Sequence, residues 1–279
     1  MSETTTPRAG WPLWRRQVAA VLALEVRKTF LRPGALPVVF LAFAPVLLLA
    51  ARALALVTTG RSDSVGSETG AFAVIFQAFT LRLGIFFGCV LVFTHLFRGE
   101  VLQRSLHFYL LAPLRREVLL AGKYLAGLIA ATALFTVATA LAMWLLYLPS
   151  GEMGRQYLLS GPGLSQLGAY LGVVALGCLG YGAVFLAMGL FFRNPMLPAA
   201  AVLGWEGINF LLPPVLKKAS VIYYLQSLCP VPIPEGPFAF PASPADAATA
   251  VPGLILVATA LLVLASRRLR RFEVLYGQE

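Results

Sequence analysis

Charged residues are scarce in this chain: Asp, Glu, Lys and Arg make up 12% of its 279 residues, where a soluble globular domain carries roughly 25%. With 59% hydrophobic residues, a water-soluble fold would need a core far larger than a chain of this size can build. Histidine and cysteine are equally sparse. His95 and His107 are the two histidines and lie in no HExxH-type cluster, so a metal enzyme is not encoded. Cys89, Cys178 and Cys229 stand far apart without a CxxC pair, which excludes a disulfide framework and a zinc knuckle. Nucleotide and hydrolase signatures are missing too. Gly122-Lys123 is followed by Tyr124, and Glu117 occupies the place of the first glycine of a phosphate loop. GxSxG and a paired acidic motif for lipid-phosphate chemistry are also absent. The chain therefore binds no ATP on its own account.

What is present is a series of long apolar runs. At 1.5 Å per residue, six reach across a hydrocarbon core of about 30 Å: 35–57, 71–97, 118–148, 164–192, 196–215 and 247–266. Lipid offers the backbone no hydrogen-bond partners, so spanning segments are helices or a closed barrel. Continuous runs without two-residue alternation point to helices. The expected fold is an all-α integral membrane protein of six transmembrane helices. The third and fourth runs exceed the required length, so they tilt or extend past the membrane.

The net charge of +10 reads as membrane topology and not as nucleic-acid binding. With the amino terminus inside, sixteen of the 22 basic residues fall on the inner side. These include Arg27, Lys28 and Arg32 before the first run, Arg98, Arg104, Arg115, Arg116 and Lys123 after the second, and Arg267, Arg268, Arg270 and Arg271 after the last. Arg52, Arg61, Arg82, Arg155, Lys217 and Lys218 remain outside. This bias places both termini in the cytoplasm. Residues 1–34 are no secretory signal, because Glu25, Arg27 and Lys28 interrupt their apolar stretch. On a helical projection Trp11, Val18, Leu22, Val26 and Phe30 oppose Arg16, Gln17, Arg27, Lys28 and Arg32. That is the pattern of an amphipathic interfacial helix, with Arg15 as the exception. Residues 267–279 form a basic cytoplasmic tail.

Between 216 and 250 the chain is irregular, with Pro230, Pro232, Pro234, Pro237, Pro241 and Pro244 in close succession. Residues 221–228, VIYYLQSL, are too apolar for a solvated loop. They form either a re-entrant helix dipping into the outer leaflet or an aromatic anchor at the interface.

Polar residues inside the runs are functional candidates because lipid penalises them. Glu206, flanked by Trp205 and Asn209, lies well inside the fifth run. It contacts a substrate or ion, or it is a paired glutamate that holds helices together. Arg82 and Gln77, read as lying toward the outer end of the second run, either partner it or, for Arg82, snorkel outward. GxxxG pairs at Gly84/Gly88 and Gly168/Gly172 suit close helix approach within the chain.

The most informative stretch is 98–123. Glu100 and Arg104 sit four apart, on one side of a helix, where they can pair or be offered to a partner. Leu106, Tyr109 and Leu110 supply an apolar patch, Pro113 ends the helix, and Arg115-Arg116 marks the membrane surface. With Gly122-Lys123, this order of glutamate, leucine-rich helix, proline, arginine pair and GK resembles the cytoplasmic loop of the ATP-binding-cassette type 2 permeases. Ser105 stands where that family usually has threonine. The outline of elbow helix, six spans and a re-entrant region before the last also resembles that family. The resemblance implies an exporter permease without covalent chemistry, working as a homo- or heterodimer in the bacterial inner membrane. Its loop docks on separate cytoplasmic ATPase subunits, which bind the ATP and Mg. Two other readings stand beside it: an intramembrane lipid enzyme using Glu206 with His95 or His107, and a non-catalytic anchor that recruits a partner through the same loop.

Overall fold

The computed structural model describes residues 17–23, 35–60, 64–102, 115–192, 194–233, 240 and 243–270, the side chains of 98 and 100–102 excepted. All regular elements among the described residues are helical. A short helical stretch, 17–23 (α1), precedes α2 (Leu36–Thr59). The second run is one continuous rod made of α3 (Val65–Ile75), a π-helical stretch Phe76–Ile85, and α4 (Phe86–Leu102). Then come α5 (Arg116–Tyr147), α6 (Gly151–Ser160), α7 (Gly163–Phe191) and α8 (Met196–Gly207). The short α9 (Pro214–Lys217) and α10 (Val221–Ser227) lead to α11 (Ala247–Arg270).

Five rods are long and apolar enough to cross a membrane: Leu36–Thr59, Val65–Phe97, Arg116–Ser160, Gly163–Phe191 and Ala247–Arg270. The protein is a multi-pass α-helical membrane protein. The run 196–215 is the one that differs from the sequence reading. It is divided among α8, a 3-10 turn Asn209–Leu211 and α9. The causes are local: Gly204 and Gly207 weaken the end of α8, and Pro213-Pro214 removes two backbone donors, so no helix continues through them.

The central rod is α7, the most buried of the five, packed against α4, α5 and α11. Without a hydrophobic force between helices in lipid, close packing holds such a bundle, and glycines make room for rings. A Cβ on Gly88 would lie 2.5 Å from the Phe135 ring of α5. One on Gly182 would lie 2.6 Å from Phe93 of α4, and Gly189 meets the backbone of Thr94 at 3.1 Å. Gly84 also faces Phe135, whereas Gly168 and Gly172 have open space around them. Phe86, Tyr181 and Phe185 add an edge-to-face cluster at the α4–α7 seam, with Phe86 5.4 Å from Tyr181 and 5.0 Å from Phe185. α2 and α11 sit at the periphery, where Leu36, Phe40, Leu47, Leu48, Leu256 and Val263 point outward, as lipid-facing residues do.

Candidate functional site

The basic end of the bundle gathers the ends of four helices. Arg116, in the first turn of α5, donates through Nη1 to the carbonyls of Leu269 (2.9 Å) and Arg270 (2.6 Å). These are last-turn acceptors of α11 that have no partner within their own helix. Glu117 beside it pairs with Arg270 at 2.6 Å, and Arg268 lies 5.9 Å from the Phe191 ring at the end of α7. An acidic first turn meeting a basic last turn also suits both helix dipoles. Lys123 is fully buried, donates to the Leu96 carbonyl of α4 at 3.2 Å and lies over the Phe97 ring at 5.5 Å. Gly122 lets α1 approach, since a Cβ there would meet Val21 at 2.8 Å. Val21 is the buried residue of α1, with Val18 and Leu22 half-buried. Thus the GK pair has structural work: glycine seats the amino-terminal helix and lysine ties α5 to α4. Arg115 is exposed at the N-cap of α5. Glu100 lies in α4 without a described side chain, and Arg104, Leu106, Tyr109 and Pro113 lie outside the described residues.

At the opposite end, Arg52 of α2 pairs with the buried Glu68 of α3 at 2.9 Å. Thr69 and Tyr147 share a 2.8 Å hydrogen bond, and Tyr157 of α6 donates to Gln166 of α7 at 2.9 Å. These contacts join five helices by side chains that hydropathy does not single out.

Between the ends lies the polar cluster that the apolar runs contained. Glu206, buried in the last turn of α8, accepts hydrogen bonds from the Ser220 hydroxyl and from the backbone N–H groups of Val221 (3.0 Å) and Ile222 (3.1 Å). Ser220 is the N-cap of α10, yet its hydroxyl is turned to Glu206 and makes no cap bond of its own. A carboxylate from another helix therefore caps α10, satisfying orphan donors and opposing the helix dipole. The Tyr181 hydroxyl faces the same carboxylate, and Arg82 acts electrostatically on that hydroxyl from the π-helical stretch. Gln77, in the same stretch, donates to the Val231 carbonyl at 2.8 Å. Asn209 is buried, and its Nδ2 has no acceptor. Sequence reading set Arg82 toward the outer end of its run, but the rod begins at Val65, so Arg82 stands about halfway between Val65 and Phe97.

The proline-rich segment is held by similar means. The fully buried Lys217 donates to the Phe240 carbonyl at 2.8 Å, and the Phe240 N–H to the Phe210 carbonyl at 3.1 Å. Tyr223 donates to the Ser243 carbonyl at 2.6 Å, and Ser227 accepts from the Ala245 N–H at 3.0 Å. Side chains of α9 and α10 thus supply partners that a prolyl backbone cannot find in a helix.

Sequence reasoning missed the cap on α10, the π-helical stretch and the Arg116–α11 link. Ser220 before an apolar run was a legible N-cap signal. The other two depend on tertiary contacts. Among the described residues no group of three or more His, Cys, Asp or Glu side chains could hold a metal. Compared with known proteins, the chain matches no protein-family model and no curated protein. Fold and site define a class, a multi-pass helical membrane protein with a buried polar cluster midway along its bundle.

Proposed function

We propose that this chain is the membrane-spanning permease subunit of an ATP-binding-cassette exporter of the type 2 class. It moves a substrate outward with ATP hydrolysed by a separate cytoplasmic ATPase subunit, beside a second permease copy in the bacterial inner membrane. The observation that carries the reading is the stretch 98–123, in which Glu100, a leucine-rich segment, Pro113, Arg115-Arg116 and Gly122-Lys123 follow in the permease order at the basic end of the bundle. Lys123 and Arg116 fasten that stretch to α4 and α11, so a movement imposed on it reaches two rods directly.

Six crossings with both termini cytoplasmic are supported by helix direction. α7 and α11 pack side by side, and Phe191 meets Arg268 near their carboxyl ends, so both run toward the basic end. The chain between them must return across the bilayer, and 194–233 does so in pieces. Irregular backbone at membrane depth is tolerated where protein surrounds it and satisfies its polar groups, as Glu206 and Gln77 do here. The segment 216–250 then forms the re-entrant region on the outer side.

The test is co-purification of the tagged chain with a separate cytoplasmic ATPase that carries a phosphate loop. Glu100→Arg or Arg104→Glu abolishes the complex on this reading. Retention of both the complex and stimulated ATP hydrolysis by these variants would refute the coupling assignment. A chain that assembles with the ATPase but moves nothing in any transport assay is an anchor. Turnover of a lipid by the purified chain alone, lost in Glu206→Gln, identifies an enzyme.

A further inference from the structure

Four polar side chains of the apolar runs, Glu206, Asn209, Arg82 and Gln77, are functional candidates, and the structure separates them by what they already bind. Glu206 has three donors, and Gln77 is committed to the Val231 carbonyl. Lys217, the other charge buried in the broken segment, donates to Phe240. Arg82 differs. Among the described residues no carboxylate pairs with it and no acceptor lies within hydrogen-bond distance, although it stands midway along a spanning rod and is half-buried. A guanidinium cannot discard its charge by deprotonation, and an unanswered cation at this depth costs several kcal/mol or more. Its nearest identified polar neighbour, Tyr181, is shared with Glu206. Three residues beyond Glu206, the buried Asn209 amide is a second donor without an acceptor. Both unanswered groups are donors. What would satisfy them bears oxygen acceptors and negative charge. The π-helical stretch adds a further indication, since π segments are uncommon and recur at functional sites.

We propose that Arg82 holds the anionic group of the transported molecule, which is therefore an amphiphile: a phosphate, carboxylate or sulfate on an apolar body. The proposal rests on the exporter reading for the word transported, but the binding site itself is tested without the ATPase. Leu83, the next residue, is apolar and points outward, which suits the body of such a molecule, while the fixed guanidinium fork suits its head.

The experiment is equilibrium binding of radiolabelled dodecyl phosphate to the full-length chain in phosphatidylcholine nanodiscs. Unlabelled dodecyl phosphate, dodecanol and dodecyltrimethylammonium serve as competitors. The wild-type chain should bind saturably, with displacement by the phosphate at concentrations at least tenfold below those needed for the alcohol or the cation. Arg82→Gln should weaken binding tenfold or more, the loss produced by one charge-assisted hydrogen bond, and Arg82→Lys should retain part of it. Equal displacement by all three competitors overturns the proposal even if Arg82→Gln fails to fold, because that comparison uses the wild-type chain alone. Unchanged binding in a folded Arg82→Gln chain overturns it as well. Displacement of the probe when phosphatidylglycerol replaces part of the phosphatidylcholine assigns the site to a bilayer lipid and overturns the substrate assignment. None of these results alters the Glu100 and Arg104 test, so failure here is distinguishable from failure of the exporter reading.

Discussion

Replacing Glu206 by alanine removes the acceptor for three donors at the start of α10: the Ser220 hydroxyl and the N–H groups of Val221 and Ile222. A buried donor left unsatisfied costs about 1–3 kcal/mol. Ser220 is itself a good N-cap residue and, once released from Glu206, can turn to one of the N–H groups. The net penalty for local opening of α10 is therefore about 2–4 kcal/mol. Cys229 reports that opening. It follows α10 directly, is buried, and its thiol bonds the Leu225 carbonyl at 3.4 Å. Burial shields that thiol from reagent as long as α10 stays folded. Opening exposes it to the reagent. Maleimide labelling of Cys229, resolved from Cys89 and Cys178 by peptide mass spectrometry, thus follows the population of the open state. At tenfold per 1.36 kcal/mol, Glu206→Ala should speed Cys229 labelling about 30- to 1,000-fold. Cys178, buried in the middle of α7, should be unaffected if the opening is local. Glu206→Gln keeps one acceptor oxygen but turns an amide donor toward the other N–H, so it should fall between. Cys229 labelling within about threefold of wild type in a folded Glu206→Ala chain would refute the capping role.

Arg52→Ala leaves Glu68 buried without its partner and should destabilise the detergent-purified chain by about 3–5 kcal/mol, read as thermal midpoint. Adding Glu68→Gln to it should recover a large part, and no recovery would show that the pair is not the cause. Gly122→Val drives a side chain into Val21 and should cost about 1–3 kcal/mol. Pairing it with Val21→Ala should relieve the loss, and strictly additive losses would contradict the α1–α5 contact. Arg116→Gln frees the last carbonyls of α11 and should accelerate trypsin cleavage at Arg267 and Arg268 severalfold. Glu117→Gln removes an exposed pair worth at most about 1 kcal/mol and should change that rate little.

Five of the rods were legible because lipid imposes one rule on every spanning residue: be apolar and helical. Their composition carries that rule without reference to any neighbour. The run 196–215 obeyed the composition rule while breaking the helix rule, and hydropathy does not see Gly207 or Pro213-Pro214. Glu206 was legible as an anomaly but not as a cap, because its three donors belong to Ser220, Val221 and Ile222, on the far side of that break. Arg82 was set too near the start of its rod because polar Ser67, Glu68 and Thr69 hid the first turns. Those turns remain helical since Ser64 caps them through Ser67 and Arg52 neutralises Glu68.

The buried charges of Glu206 and Lys217 follow from the break in the run 196–215. Interrupting a helix inside a packed bundle frees donors at each new amino end and acceptors at each new carboxyl end or loop, and water has little access to answer them. Glu206 answers the donors that open α10, while Lys217 and Gln77 answer carbonyls of Phe240 and Val231 in the connection that follows. Each charge matches in sign the backbone group it meets, negative to N–H and positive to C=O, and so has a structural reason to be buried. By that standard Arg82 is the exception. It stands in a continuous rod, not at a break, and no free carbonyl lies within its reach among the described residues. A cation kept at such depth without a backbone group to satisfy is better accounted for by something that binds than by something that folds.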